Sequence, residues 1–164
     1  MDAVDLLRQQ ADMTEHMLTD VFAKVTPELA LWKLPGATTN PMTTTFLHCY
    51  VTEDRVVHRL QNRPMLFESA NWQARLDIDP AAIWTLTDCP DLAACRAYAA
   101  DVHAASVRYL DELDPATLSA DANTPFGPYS LAALLGLILG THKFLHAGEI
   151  AALLGCQGEQ GFLF

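Results

Sequence analysis

The sequence predicts an all-α protein built as a four-helix bundle. Apolar residues recur three and four positions apart along four long stretches, the period of a helix with one buried face. Almost nowhere do apolar and polar residues alternate, as they would in a half-buried strand. The connections are too irregular for a coiled coil, and neither a repeat nor a low-complexity tract is present. With 164 residues, 51% hydrophobic and 18% charged, the chain suits one domain over residues 1–164, at roughly 100–200 residues per domain.

The first helix is expected from about Asp2 to Phe22. Val4, Leu7, Ala11, Leu18 and Val21 share its apolar stripe, with Arg8, Gln9, Asp12 and Glu15 elsewhere around it. Thr26-Pro27-Glu28 reads as a short helical piece with a capping threonine and a proline at its first position, and Pro35-Gly36 breaks the chain. The second long helix opens on Asn40-Pro41, again cap plus proline, and runs to about Asn62 before Pro64. Met65–Pro90 forms an irregular crossover whose Trp72 and Trp84 predict packing over the bundle and not a free linker. The third helix spans about Asp91 to Leu113. Its Leu92, Cys95, Ala99, Val102, Ser106, Tyr109 and Leu113 alternate three and four apart as a bundle seam does. After Asp114-Pro115 and the Thr124–Pro128 connection, Ser130 caps a last helix that Gly155 is expected to end. Leu131 to Leu139 is apolar nearly all round, so this helix is either the most buried of the four or covered by a partner chain.

The charge balance narrows the partners. Ten basic residues against 20 acidic ones give a net charge of −10, a surface that repels phosphate, so no nucleic-acid partner is expected. The longest apolar run, Leu131–Gly140, falls short of the ~20 residues that span a bilayer. The Met1–Gln10 start, with Asp2 and Asp5, lacks the basic-then-apolar shape of a secretory signal. A cytoplasmic protein without a membrane partner is the expectation. Cys49, Cys89, Cys95 and Cys156 show no CxxC pair and no regular spacing, which predicts free and mostly buried thiols.

Chemistry concentrates in the histidines. His142 and His146 form H-x3-H inside the last helix. Four residues at ~100° each bring two rings onto one face, ~6 Å apart along the axis, where both reach one divalent ion. His48 lies midway along the second helix, and facing helices of a bundle deliver ligands to a shared interior point. His48, His142 and His146 are therefore the candidate metal ligands. Imidazole suits zinc, nickel, iron or copper better than calcium or magnesium, and three protein ligands leave room for water or substrate. Glu149 shares their face and has three candidate roles: a fourth ligand, a carboxylate partner for an imidazole N–H, or the catalytic base. Thr45 and Thr52 sit near the face of His48 and are candidates to orient ligands or substrate, and Arg55 to hold a carboxylate. His58 is turned ~80° from His48 on an ideal helix, His16 lies off its apolar stripe, and His103 neighbours the seam, so none of these three is assigned to the site. Trp72 and Trp84 are candidates to roof it, with core packing the plainer use of both.

Other signatures are absent: HExxH, paired Glu-x-x-His, a P-loop, GxGxxG and GxSxG. What is present resembles the DinB-like superfamily. The resemblance is carried by a histidine midway along the second helix, a long crossover, and a terminal helix with His142-Lys143-Phe144-Leu145-His146-Ala147-Gly148-Glu149-Ile150 followed by Leu153-Leu154-Gly155. It spans nearly the whole chain in order and spacing. It implies a four-helix bundle, a His48–His142–His146 metal triad, and a homodimer, which is common in the superfamily. Some members are similar to thiol S-transferases or isomerases that use bacillithiol, mycothiol or glutathione. In the mycothiol-dependent maleylpyruvate isomerase branch a glutamate replaces one histidine of the triad; this chain keeps histidine, so isomerase activity is not implied.

The resulting expectation is a divalent-metal-dependent enzyme with zinc or nickel foremost, and iron or manganese as further candidates. It would transfer a low-molecular-weight thiol to a small electrophile. The alternatives are a non-catalytic metal- or ligand-binding bundle of stress or detoxification type, or a metal-dependent hydrolase.

Overall fold

The computed structural model describes residues 2–124 and 127–162. Four long helices form the frame: α1 (Ala3–Phe22), α3 (Met42–Leu60), α6 (Leu92–Glu112) and a last helix made of α7 (Leu131–Leu135), a π-helical segment (Gly136–His142) and α8 (Lys143–Cys156). Around the bundle, α1 packs between α6 and α8, and α3 packs between the same two. Smaller pieces are α2 (Pro27–Ala30), α4 (Leu66–Ser69), α5 (Trp72–Leu76) and two 3-10 turns at Ile83–Thr85 and Pro115–Ser119. The all-α bundle expected from the periodicity is the fold that forms.

Local chemistry sets the helix starts. Asp2 caps α1 by accepting from the Asp5 amide, and Asp5 reaches back to the Asp2 amide, a reciprocal capping box. Asp91 accepts from the amides of Ala93 and Ala94 at the start of α6, and Ser130 Oγ accepts from the Ala133 amide at the start of α7.

Several details differ from expectation. Pro41, not Asn40, occupies the cap of α3, and no side chain closes that end. The crossover is less irregular than its sequence suggests, since α4, α5 and a 3-10 turn occupy it. Asn71 and Asp77, both in left-handed conformation, bracket α5. Gly155 continues α8 and the left-handed glycine is Gly158, three residues later. A two-stranded antiparallel hairpin, β1 (Asp121–Thr124) with β2 (Gly127–Ser130), precedes the last helix. Four residues per strand are too few to show a period, and residues 125 and 126 of the expected Thr124–Pro128 connection lie outside the described residues. Cys49 and Cys95 are buried, Cys89 and Cys156 are exposed, and all four are free thiols.

Two apolar cores fill the bundle, and a polar layer separates them. One contains Leu18, Phe22, Phe46, Tyr50, Val102 and Ala147; the other contains Leu7, Ala11, Val57, Leu110, Leu135 and Leu139. On every long helix the step from one core to the other crosses a polar side chain: Glu15 on α1, Glu53 on α3, Ser106 on α6 and Lys143 on α8. Lys143 is 0% exposed. Its Nζ lies 2.8 Å from Glu15 Oε2 and 2.6 Å from Glu53 Oε2. Ser106 Oγ donates to Glu53 Oε1 (2.6 Å), and the Tyr50 hydroxyl donates to Glu15 Oε2 (2.9 Å). Burial opposes the charge on Lys143, but Glu53 and Glu15 outweigh it and raise its pKa above the ordinary lysine value. Glu15 thus faces inward, against the expectation that it lies off the core stripe: it sits four residues after Ala11 and three before Leu18, in register with both.

The π-helical segment is the second departure from regularity. The Leu139 carbonyl accepts a 2.6 Å hydrogen bond from Oγ1 of the buried Thr14 on α1. A helix that widens by one residue leaves carbonyls off its own ladder, and buried ones need a partner. The whole last helix, Leu131–Cys156, is long and apolar enough by composition to cross a membrane. Here it is the core helix of the bundle, with Leu134, Leu135, Ile138, Leu139 and Lys143 buried against the other three.

Breaking a buried ion pair by removing one partner leaves an uncompensated charge, at a cost of about 3–5 kcal/mol. Lys143→Met is expected to lower unfolding free energy by about that amount in urea titration. Adding Glu15→Gln and Glu53→Gln to Lys143→Met is expected to restore part of the loss, which a structural role of the lysine stem alone would not allow.

Candidate metal centre

The three histidines singled out by spacing come together in space. His48 stands midway along α3, His142 is the last residue of the π-helical segment, and His146 follows one turn later in α8. All three are half-buried, and one ligand-competent nitrogen from each falls in a group with no pair more than 4.8 Å apart. His142 Nε2 is 3.1 Å from His48 Nε2 and 3.2 Å from His146 Nε2. With metal–nitrogen bonds of about 2.0–2.1 Å, ligand nitrogens stand about 2.9 Å apart at right angles and about 3.3 Å apart in a tetrahedron. The two spacings centred on His142 lie between these values, and the third pair is bounded by 4.8 Å, so the cluster has the ligand set and approximate spacing of a divalent transition-metal site.

The surroundings favour the neutral, metal-binding form of His48 and His142. Burial, then the neighbouring His146 and Arg55, push His48 down to about 4, with Glu149 opposing. Burial followed by His146, His48 and Lys143 push His142 to about 4 as well. Each ring has its other nitrogen in a different setting. His146 Nδ1 is hydrogen-bonded to Glu149 Oε2, the carboxylate–histidine arrangement that fixes a ligand's tautomer and aims its Nε2. Thr52 Oγ1 is 3.5 Å from His48 Nδ1, and His142 Nδ1 is buried with no hydrogen-bond partner among the described residues. Of the three roles open to Glu149, this contact realises the imidazole partner, while the side chain keeps more than half its surface in solvent.

The two tryptophans separate cleanly. Trp84 is 42% exposed and packs its ring 4.6 Å from that of His48, at the edge of the histidine cluster. Trp72 is core: 1% exposed, its indole N–H donates to Asp101 and Arg75 stacks on its face. Thr45 is buried in the bundle, and Arg55 is exposed close enough to His48 to act on its charge. The remaining histidines are accounted for elsewhere: His16 pairs with Asp20 on the surface, His103 with Asp12 and Glu15, and His58 with Asp54.

Sequence reasoning missed the residue that anchors this site. Lys143 follows His142 directly, and at ~100° per residue its side chain turns into the bundle while His142 turns toward His48. The ionic layer therefore pins the backbone that presents two of the three rings. Its signal was available: Lys143 lies four residues after Leu139 and four before Ala147, a charge at a core register.

A family model for the DinB superfamily matches residues 10–150. Among solved structures, a conserved protein from Enterococcus faecalis is similar at 17% identity, with a TM-score of 0.79 over 93% of this chain and 95% of that one. A search of curated proteins finds no match.

If the Glu149 carboxylate orients His146, then Glu149→Gln is expected to weaken zinc affinity about 10–100-fold in a chelator competition, the usual effect of losing such a partner. His146→Ala is expected to cost clearly more. Equal losses in the two variants would instead make Glu149 a ligand in its own right.

Proposed function

This chain belongs to the DinB superfamily, and from that premise we propose that it is a cytoplasmic, divalent-metal-dependent enzyme that transfers a low-molecular-weight thiol to a small electrophile. The observation that carries the reading is the clustering of His48, His142 and His146, with the His142 Nε2 within 3.1 and 3.2 Å of the other two. Three histidines as the whole protein ligand set leave coordination positions for substrate. A divalent ion bound there, zinc or nickel before iron or manganese, would supply a lowered pKa for a coordinated thiol.

The chain's own residues divide the remaining work. Burial and the neighbouring positive charges keep His48 and His142 in the neutral form, with a lone pair to offer. Glu149 aligns His146 through one oxygen, and in this reading its half-exposed carboxylate accepts the thiol proton. The sulfur then forms the new bond to the electrophile as the leaving group departs with its electron pair. Trp84 offers an exposed aromatic wall beside His48 for an apolar electrophile.

A homodimer is part of the same reading. Met13 and Phe144 are each more than half exposed and line one groove with Gly136 and Gly140 between α1 and the last helix. A second copy covering this face would bury the apolar area that the bundle leaves in water. Sedimentation equilibrium is expected to give a dimer that Met13→Glu/Phe144→Glu converts to a monomer.

Elemental analysis of tag-free protein is expected to find near-stoichiometric divalent metal that disappears in His48→Ala/His146→Ala. Cobalt-substituted protein is expected to change its visible spectrum on addition of glutathione, bacillithiol or mycothiol. Wild-type protein that stays empty after incubation with zinc, nickel, iron and manganese would overturn the metal assignment. A cobalt spectrum indifferent to every thiol would overturn the transfer chemistry alone.

A further inference from the structure

A second constellation lies at the far end of α3. Asp54 is 0% exposed, and its carboxylate accepts three hydrogen bonds: from the amides of Leu66 (2.9 Å) and Phe67 (2.9 Å) and from the Tyr98 hydroxyl (2.8 Å); His58 Nδ1 lies 3.0 Å from the Asp54 backbone carbonyl, its hydrogen-bond partner, and 2.8 Å from the carboxylate. The amides and the hydroxyl are donors, so the carboxylate is an acceptor throughout and His58 carries its proton on Nδ1. That leaves Nε2 of this nearly buried ring, which lines a cavity of about 280 Å³ between the ends of α3 and α6. The polar contacts of His58 among the described residues all run through Nδ1 and leave Nε2 without a protein partner there.

The same cavity is lined by Arg63 and Arg108, one from each side. No ion pair holds either guanidinium among the described residues, although acids outnumber bases two to one in the chain. Glu112 is the one acid on the wall, and Leu66 and Tyr109 supply apolar surface. His58 follows His48 by ten residues, ~15 Å along the helix axis, so this cavity is separate from the histidine cluster.

We propose that this cavity binds a small organic acid with a hydroxyl beside its carboxylate. Arg63 and Arg108 match a carboxylate through charge-assisted hydrogen bonds. The Nε2 lone pair of His58, aimed by Asp54, accepts from the hydroxyl. The apolar wall receives the body of the acid.

Mandelate and phenylacetate are the probes, since they share an aromatic carboxylate body and differ by the hydroxyl. Long-range 1H–15N spectra of the full chain resolve the histidine rings individually. Mandelate is expected to shift the His58 ring signals saturably and to leave those of His48, His142 and His146 in place. Phenylacetate is expected to bind about tenfold more weakly, as is mandelate to Arg63→Gln or Arg108→Gln, each loss being that of one strong hydrogen bond. Both arginines are exposed, so these variants keep the fold. Absence of a saturable shift, shifts confined to the triad, or unchanged affinity in both arginine variants would overturn the site. Equal affinity for the two acids would overturn the role of His58.

Discussion

Fully buried Lys143 and Glu53 meet a largely buried Glu15 at the centre of the bundle, and the other features of the fold are arranged around that meeting. A lysine ammonium between two carboxylates is stable in a low-dielectric interior only when its geometry is good and the spare lone pairs are satisfied. Here the hydroxyls of Ser106 and Tyr50 donate to the two carboxylates, Lys143 holds Glu53 Oε2 through the ion pair alone, and the charged groups come from three helices with the fourth supplying a hydroxyl. The layer splits the hydrophobic interior into two cores that cannot slide past each other without stranding a charge. Apolar packing supplies most of the driving force for folding, as in any domain of this size. The ionic layer selects one alignment of the four helices from the several that similar leucine and valine surfaces would accept.

That alignment is what the histidine cluster needs. His142 and His146 share a helix and would keep their mutual spacing in any alignment. His48 arrives from another helix, and its distance from them depends on how α3 and α8 are fixed along their axes. Glu53 and Lys143 provide that fix, five residues beyond His48 on one side and one residue beyond His142 on the other. Holding the rings together before any ligand arrives is preorganisation, which lowers the ordering cost of whatever the cluster binds.

The sequence showed the parts of this arrangement that depend on periodicity. The stripe Val4, Leu7, Ala11, Leu18, Val21 and the seam from Leu92 to Ser106 are buried as their spacing requires, and the H-x3-H motif converges with His48. Glu15 was hidden because a glutamate within an amphipathic helix is ordinarily solvated; its inward turn depends on Lys143, 128 residues away. The same holds for Asp54, whose partners come from α3, α4 and α6 together. Trp72 and Trp84 could not be told apart by type or by local pattern, since only the path of the crossover decides which one meets a histidine. Long-range pairing, not local propensity, was the missing information in each case.

The π-helical segment adds a consequence for how this chain tolerates change in length. A π-helical turn is an α-helix carrying a surplus residue, and each residue added or lost turns all that follows by ~100°. The leucines of α7 and the first turns of the last helix are phased to one core, while His142, Lys143 and His146 are phased to α3, and the surplus residue absorbs the difference. Side chains between Gly136 and Thr141 can therefore vary more freely than their number. A single deletion there would straighten the helix and turn the histidines and the lysine together out of the positions that His48, Glu15 and Glu53 require.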